Sequence, residues 1–177
     1  KVAIAQINST VGDLAGNAAK IIDFSRRAAA QGADIVLTPE LSLVGYPPED
    51  LLLRQSFYAK TADAVRALAV ELSTLKDLHV VVGHPTLRDG ARYNAASILL
   101  NGTVLGTYCK NDLPNDTVFD EKRYFSSSKE PFVFNVKGVK FGINICEDTW
   151  SLHTPAMAKA AGAQVLLVPN GSPYHMN

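Results

Sequence analysis

Val139-Lys140-Phe141-Gly142-Ile143-Asn144-Ile145-Cys146-Glu147-Asp148-Thr149-Trp150 is an apolar, strand-like run that breaks at a thiol into an acidic turn. The same grammar recurs along the chain. Short, β-branched runs bounded by Gly, Pro, Asn or Asp occur at residues 2–7, 34–38, 79–83, 94–100, 103–109 and 164–168, and each reads as a strand. Between the first two, the spacing predicts a helix from Asn17 to Gln31, with Ala18, Ile21, Ile22, Ala28 and Ala29 on one face and Gly32 closing it. A second helix is predicted from Ser56 to Leu75, where Val65, Leu68, Ala69, Leu72 and Leu75 follow helical periodicity. A third, short one starts at Thr154-Pro155, a cap followed by proline, and ends at Gly162. Apolar strand centres alternating with amphipathic helices predict an α/β protein with a mainly parallel, buried sheet. Asn101-Gly102, between the fourth and fifth runs, is a hairpin signal that makes the sheet mixed.

Composition narrows the function classes. The chain has 177 residues, 47% of them hydrophobic, enough for one ordinary domain with a core. Seventeen basic residues balance seventeen acidic ones, so no charge excess points to nucleic acid or to a membrane surface. No apolar stretch approaches the ~20 residues of a membrane span, and the amino end lacks a signal-peptide pattern. The expectation is a cytoplasmic protein. Its two cysteines, Cys109 and Cys146, are not expected to pair there. The chain opens directly in a strand and ends in a loop-like stretch at Asn177, so it reads as part of a longer domain. No repeat, linker or internal domain boundary is visible.

In open α/β sheets, functional groups gather where loops leave the carboxyl ends of strands. Glu40 follows Ile35-Val36-Leu37-Thr38-Pro39, Lys110 follows Val104-Leu105-Gly106-Thr107-Tyr108-Cys109, and Cys146 follows its own run. A thiol attacks only as thiolate, with a free pKa of about 8.5, and needs a base or cation beside it. Glu40 is a candidate base, and Lys110 a candidate stabiliser of thiolate and oxyanion. Alternation along the strand then turns Cys109 to the other face as a core thiol. Spacing alone does not separate this trio from two solvated loop residues and a buried cysteine.

Thr38-Pro39-Glu40-Leu41, Lys110-Asn111-Asp112-Leu113-Pro114 and Asn144-Ile145-Cys146-Glu147-Asp148 together resemble the Glu-Lys-Cys signature of the nitrilase superfamily. Gly45-Tyr46-Pro47-Pro48-Glu49-Asp50-Leu51-Leu52, Val118-Phe119-Asp120-Glu121-Lys122-Arg123-Tyr124-Phe125 and Cys146-Glu147-Asp148-Thr149-Trp150 resemble the glutaminase domain of bacterial glutamine-dependent NAD synthetases. The resemblance implies a nitrilase-like αββα sandwich whose carboxy-terminal part is missing here, homo-oligomeric packing through a helical face, and glutamine as substrate. It also implies a synthetase domain, using ATP and Mg, outside this chain; no Ser-Gly-Gly-x-Asp-Ser loop occurs within it. By the same resemblance Glu40, Lys110 and Cys146 are catalytic, and the backbone N–H of Glu147 joins Lys110 in holding the oxyanion. Glu121 is implied to support the lysine, while Tyr46 and Ser172 are implied to lie at the glutamine pocket. One departure stands out. Six residues after the lysine many relatives carry a tyrosine lid, whereas this chain has Asp116, an acid that cannot form the same apolar lid and whose charge suits pairing with the glutamine α-ammonium.

Other chemistries fit poorly. His79, His84, His153 and His175 lack metal-ligand spacing with the cysteines, neither His153 nor His175 has the surroundings of a papain-like partner, and no Gly-x-Gly-x-x-Gly follows a strand. The alternatives that remain are a stand-alone amidase or carbamoylase with the same three residues, and a non-catalytic binding module that keeps the fold.

Overall fold

The computed structural model describes residues 1–115 and 119–172. Two sheets lie face to face. The larger is built, in spatial and sequence order, from β1 (Val2–Ile4), β2 (Ile35–Leu37), β3 (His79–Arg88), β4 (Ala91–Leu100) and β5 (Thr103–Cys109). The smaller contains β6 (Val133–Val136), β7 (Val139–Ile143) and β8 (Val165–Leu167). Ile35, Leu37, Val81, Ala96, Ile98 and Tyr108 of the first sheet bury against Phe134, Val136, Phe141, Ile143 and Leu167 of the second. The opposite face of the larger sheet, with Val36, Val80, Val82 and Leu99, is covered by α1 (Leu14–Ala30) and α2 (Gln55–Glu71). Helix α3 (His153–Ala160) lies on the outer face of β7, where Gly142 lets Ala158 approach closely. The layers therefore run helix, sheet, sheet, helix.

Both sheets are mixed, as the Asn101-Gly102 hairpin implies, but fewer of the pairs are parallel than the apolar strand centres suggest. β1–β2, β2–β3 and β7–β8 are parallel, but β3–β4, β4–β5 and β6–β7 are antiparallel. Each antiparallel pair turns on two residues with positive φ: Asp89-Gly90, Asn101-Gly102 and Lys137-Gly138. That is the geometry a right-twisted hairpin requires. β3 continues through Pro85 because β2 pairs with it only as far as Val81, so beyond that point β3 has a free edge and proline removes no ladder bond there.

Helix boundaries shift for identifiable reasons. α1 starts three residues before the expected Asn17, since Asp13 caps it by accepting the Gly16 N–H at 2.9 Å. Asn17 is instead fully buried, donating to Thr10 and Leu43 carbonyls and accepting the Thr10 N–H. α2 gives way to a 3-10 turn at Leu72–Thr74. Thr154 does not cap α3; its hydroxyl donates to the Asp112 carboxylate at 2.8 Å.

A polar ladder crosses β3, β4 and β5. His84 Nδ1 faces the Pro85 carbonyl at 3.0 Å, which can only accept, so Nδ1 carries the proton and Nε2 accepts from Ser97 Oγ at 2.7 Å. Ser97 Oγ then accepts from Thr107 Oγ1 at 2.7 Å. Burial pushes the His84 pKa down from 6.5 to about 4. Between those values the unfolded chain takes up a proton that the folded chain refuses. Stability from this group is therefore complete above the window and is lost as pH falls through it, by on the order of 3 kcal/mol. Urea unfolding at a series of pH values is expected to show this acid slope in the wild type and a flatter one in His84→Gln; parallel slopes refute the assignment.

Candidate active site

Glu40 sits on a turn stitched to the free edge of β3. Thr38 N–H and Thr38 Oγ1 both donate to the Val81 carbonyl, and Leu43 N–H donates to the Gly83 carbonyl at 3.0 Å. Gly83 cannot be replaced without a shift, because a Cβ there would lie 2.5 Å from Leu41 N and Pro39 O. Leu41 has φ of 50° and Cys146 φ of 46°, so both turns hold a non-glycine residue in the left-handed region. Such strain is maintained only where surrounding structure over-determines it. At the Cys146 turn that structure includes the Cys146 N–H bond to the Pro169 carbonyl, 3.0 Å.

The three strand ends meet. Lys110 is fully buried, and its ammonium contacts Glu40 Oε1 at 2.8 Å and Glu121 Oε1 and Oε2 at 2.9 and 3.1 Å. Glu121 reaches this point from a 3-10 turn, Glu121–Arg123, whose first residue donates its N–H to the Pro114 carbonyl. Glu40 Oε2 accepts the Gly171 N–H at 2.9 Å. A Cβ on Gly171 would strike the Tyr46 ring at 2.9 Å, so only glycine brings that N–H so close.

Charges in this cluster are coupled. Burial would lower the Lys110 pKa, but the Glu40 and Glu121 carboxylates overcome it and hold the ammonium above the ordinary lysine value. Glu121 is raised to about 7, first by burial and then by the Glu40 carboxylate, with Lys110 opposing. The Cys146 thiol is pushed up to about 11 by burial and the Glu40 carboxylate, against the pull of Lys110 and the Gly171 N–H. At neutral pH the cysteine is a neutral thiol, and any nucleophilic step needs a base to take its proton as it attacks. Tyr46 is also raised, by burial and then by Glu40, Glu121 and Cys146.

A cavity of about 730 Å³ opens beside Glu40, lined also by Gln6, Asn8, Tyr46, Phe119 and Ser172. Tyr46 packs edge-on against Phe119, with ring centroids 6.3 Å apart. Ser172 is exposed at this cavity. The Glu147 residue instead lines a separate cavity of about 360 Å³ with Lys122 and Trp150. Cys109 is buried and unpaired with Cys146. Asp116 lies outside the described residues, as do 117, 118 and 173–177. Among the described residues no group of His, Cys, Asp and Glu is arranged to hold a metal ion, and no helix is long and apolar enough to cross a membrane.

Two contributors were not singled out from sequence. Asn94, on β4, donates from Nδ2 to Glu40 Oε1 at 2.7 Å and to Glu121 Oε2 at 3.4 Å. Asp148, fully buried, accepts from Asn111 and Asp112 N–H, from Ile145 N–H and from Tyr108 Oη, at 2.7 to 3.0 Å. In return the Asp112 carboxylate accepts from Ser151 and Thr154. These contacts lock the segment after Lys110 to the turn of Cys146. A polar residue inside a strand whose neighbours are apolar was the available signal for Asn94.

With this geometry in place, the comparisons with known proteins fall into line. The family model for carbon-nitrogen hydrolases matches residues 1–177. The chain belongs to that family. It is 42% identical to the glutamine-dependent NAD(+) synthetase of Acinetobacter baylyi, over 99% of this chain and 32% of that protein. The structure of glutamine-dependent NAD+ synthetase from Acinetobacter baumannii in complex with ADP superposes with a TM-score of 0.89 at 42% identity, over 98% of this chain and 32% of that one. An amidase from Nesterenkonia sp. superposes with a TM-score of 0.82 at 27% identity, over 96% of this chain and 64% of that one. A variant of that amidase carries acrylamide added at its active-site cysteine. The chain thus spans about a third of the synthetases it resembles, and its fold is that of the nitrilase superfamily.

Burial raises the Asp148 pKa above the usual aspartate value, while the Asp112, Ile145, Tyr108 and Asn111 donors oppose it. Asp148→Asn turns one acceptor oxygen into a donor facing donors, an expected loss of about 2–4 kcal/mol. Thermal unfolding should show it, together with faster loss of Cys146 protection from bulky thiol reagents; an unchanged melting temperature refutes the latch.

Proposed function

We propose that the protein hydrolyses the side-chain amide of glutamine through Cys146, and that its full-length form passes the ammonia to ATP-dependent amidation of nicotinic acid adenine dinucleotide. The observation that carries the chemistry is the Glu40 carboxylate. Its Oε1 is engaged by Lys110 and Asn94, while among the described residues Oε2 accepts only the Gly171 N–H and so has a lone pair left to offer the thiol proton. Similarity to synthetases over nearly the whole chain supports the choice of glutamine and the coupling to NAD.

In this reading Glu40 accepts the Cys146 proton as sulfur attacks the amide carbon. Lysine carries three donor hydrogens. Its carboxylate partners leave one for the oxyanion when the Glu121 contact is bifurcated, and the Glu147 N–H supplies a second donor. Glu40 then returns the proton to the departing nitrogen, which leaves as ammonia. A γ-glutamyl thioester remains on Cys146. Water, deprotonated by Glu40, cleaves it to glutamate and the free thiol. Tyr46 and Ser172, at the cavity beside Glu40, are proposed to contact the glutamine, and Asp116 its α-ammonium. Ammonia stays neutral in transit only along a dry path, a reason to couple the two reactions in one assembly. That assembly is proposed to be a cytoplasmic homo-oligomer, with ATP and Mg acting in a synthetase domain outside this chain.

The decisive test is NAD formation by the full-length protein, with ATP and nicotinic acid adenine dinucleotide, from glutamine or from ammonium. Cys146→Ala is expected to abolish the glutamine-driven reaction, a loss of at least about a thousandfold, and to leave the ammonium-driven one intact. If the wild type makes NAD from neither source but hydrolyses simple amides, the stand-alone amidase reading favoured by the Nesterenkonia likeness replaces this one.

A further inference from the structure

Asn94 touches both site carboxylates and the backbone of Lys110 at once. Its carbonyl accepts the Lys110 N–H at 2.8 Å, which fixes the backbone from which the ammonium projects. Its side chain lies between Glu40 and Glu121, at 2.7 and 3.4 Å, and the residue is 1% exposed. Only the amide nitrogen can face two carboxylates, so the orientation of the group is settled by its neighbours. Its Oδ1, buried, has no hydrogen-bond partner. Buried polar atoms are almost always satisfied, and an exception held in a well-packed strand marks a constraint other than packing.

We infer that Asn94 is a positioning residue that sets Glu40, rather than Glu121, as the proton acceptor of the pair. The inference rests on the glutaminase reading of this site. The groups facing the pair are Lys110 from the end of β5, Cys146 from the turn after β7, Tyr46 from the loop after β2, and Asn94 from β4. Two carboxylates against one ammonium leave a net negative charge away from water, a situation in which one carboxylate tends to take up a proton. A protonated Glu40 cannot accept the thiol proton. Lys110 is a single cation shared between both acids, and the Gly171 N–H reaches only Glu40 Oε2, so a donor that spans the two acids is what Asn94 adds. An amide supplies that donor at every pH, because it has no proton to lose in the working range. Aspartate of the same shape would add a third carboxyl. Serine would retain one donor of shorter reach.

The test is the pH dependence of two rates in the full-length protein: glutamine hydrolysis as kcat/KM, and alkylation of Cys146 by iodoacetamide. In the latter, sulfur displaces iodide from carbon while Glu40 takes the thiol proton, so its acid limb reports the carboxylate pair without any substrate. Asn94→Asp is expected to move the acid limb of both profiles upward by about one pH unit or more and to slow alkylation on the acid side about tenfold. Asn94→Ser should fold more readily and fall between that variant and wild type. Variants that retain the wild-type limb and lose only a uniform factor in kcat overturn the inference. A wild type that does not hydrolyse glutamine, yet whose alkylation limb moves with Asn94, sinks the substrate reading and leaves the role of Asn94 standing.

Discussion

Everything around the site depends on one buried ammonium. Lys110 has no exposure to water, and a lone charge there would cost several kcal/mol in lost solvation. Glu40 and Glu121 offset that cost only while both stay within hydrogen-bond distance, so each fixes the other through the lysine. Removing one partner from such a cluster costs about 3–5 kcal/mol, because a charge is left behind unpaired. The trio is thus a geometric constraint before it is a chemical device. It ties the turn after β2, the end of β5 and the 3-10 turn at Glu121 to a common point.

The fold explains how three distant segments reach that point. Parallel pairing sets the end of β2 beside β3, and the ladder from β3 through β4 to β5 carries Lys110 to the same rim. The smaller sheet brings Cys146 from the facing layer, and Asp148 binds its turn to the residues that follow Lys110. Neither sheet alone contains the site. A packing change between the sheets therefore reaches the thiol by moving one layer over the other, and the interlocked Asp148 and Asp112 contacts resist that slide.

Much of this was legible in the sequence, and what was not has physical reasons. Glu40, Lys110 and Cys146 each follow an apolar run, so their placement at strand ends could be read locally, and Asn101-Gly102 marked its hairpin. Strand β6 was missed because Phe132-Val133-Phe134-Asn135-Val136 is preceded by Lys129-Glu130-Pro131 and its turn, Lys137-Gly138, has a lysine at a position where asparagine or aspartate gives the usual signal. The extension of β3 was hidden by Pro85, whose tolerance depends on the short reach of β2 and so on tertiary pairing. The helix starts before Asn17 because Asp13 caps it, and Asn17 is tied instead to Thr10 and Leu43. Asn94 carries only a weak local mark, a polar residue among apolar strand neighbours. Its meaning arises only when two carboxylates, distant in sequence, arrive on either side of it.

The same coupling decides how the thiol must work. A cysteine beside a lysine suggests a preformed thiolate, the arrangement in which a cation lowers the pKa. Here the cation is already committed to two carboxylates, and of these Glu40 acts the more strongly on the thiol. Burial and that carboxylate raise the thiol to about 11. A protonated resting cysteine is protected from adventitious alkylation and oxidation, since the thiolate is the reactive form. In the proposed reaction, charge moves from the carboxylate through the sulfur to the new oxyanion as the amide carbonyl is attacked, and Lys110 meets it there. On that reading the total charge of the cluster stays constant throughout, so the buried groups never have to accommodate an additional ion. That economy follows from having two acids and one base around a neutral thiol, and it is why Glu121, held to the thiol's partners through Lys110, belongs to the same unit.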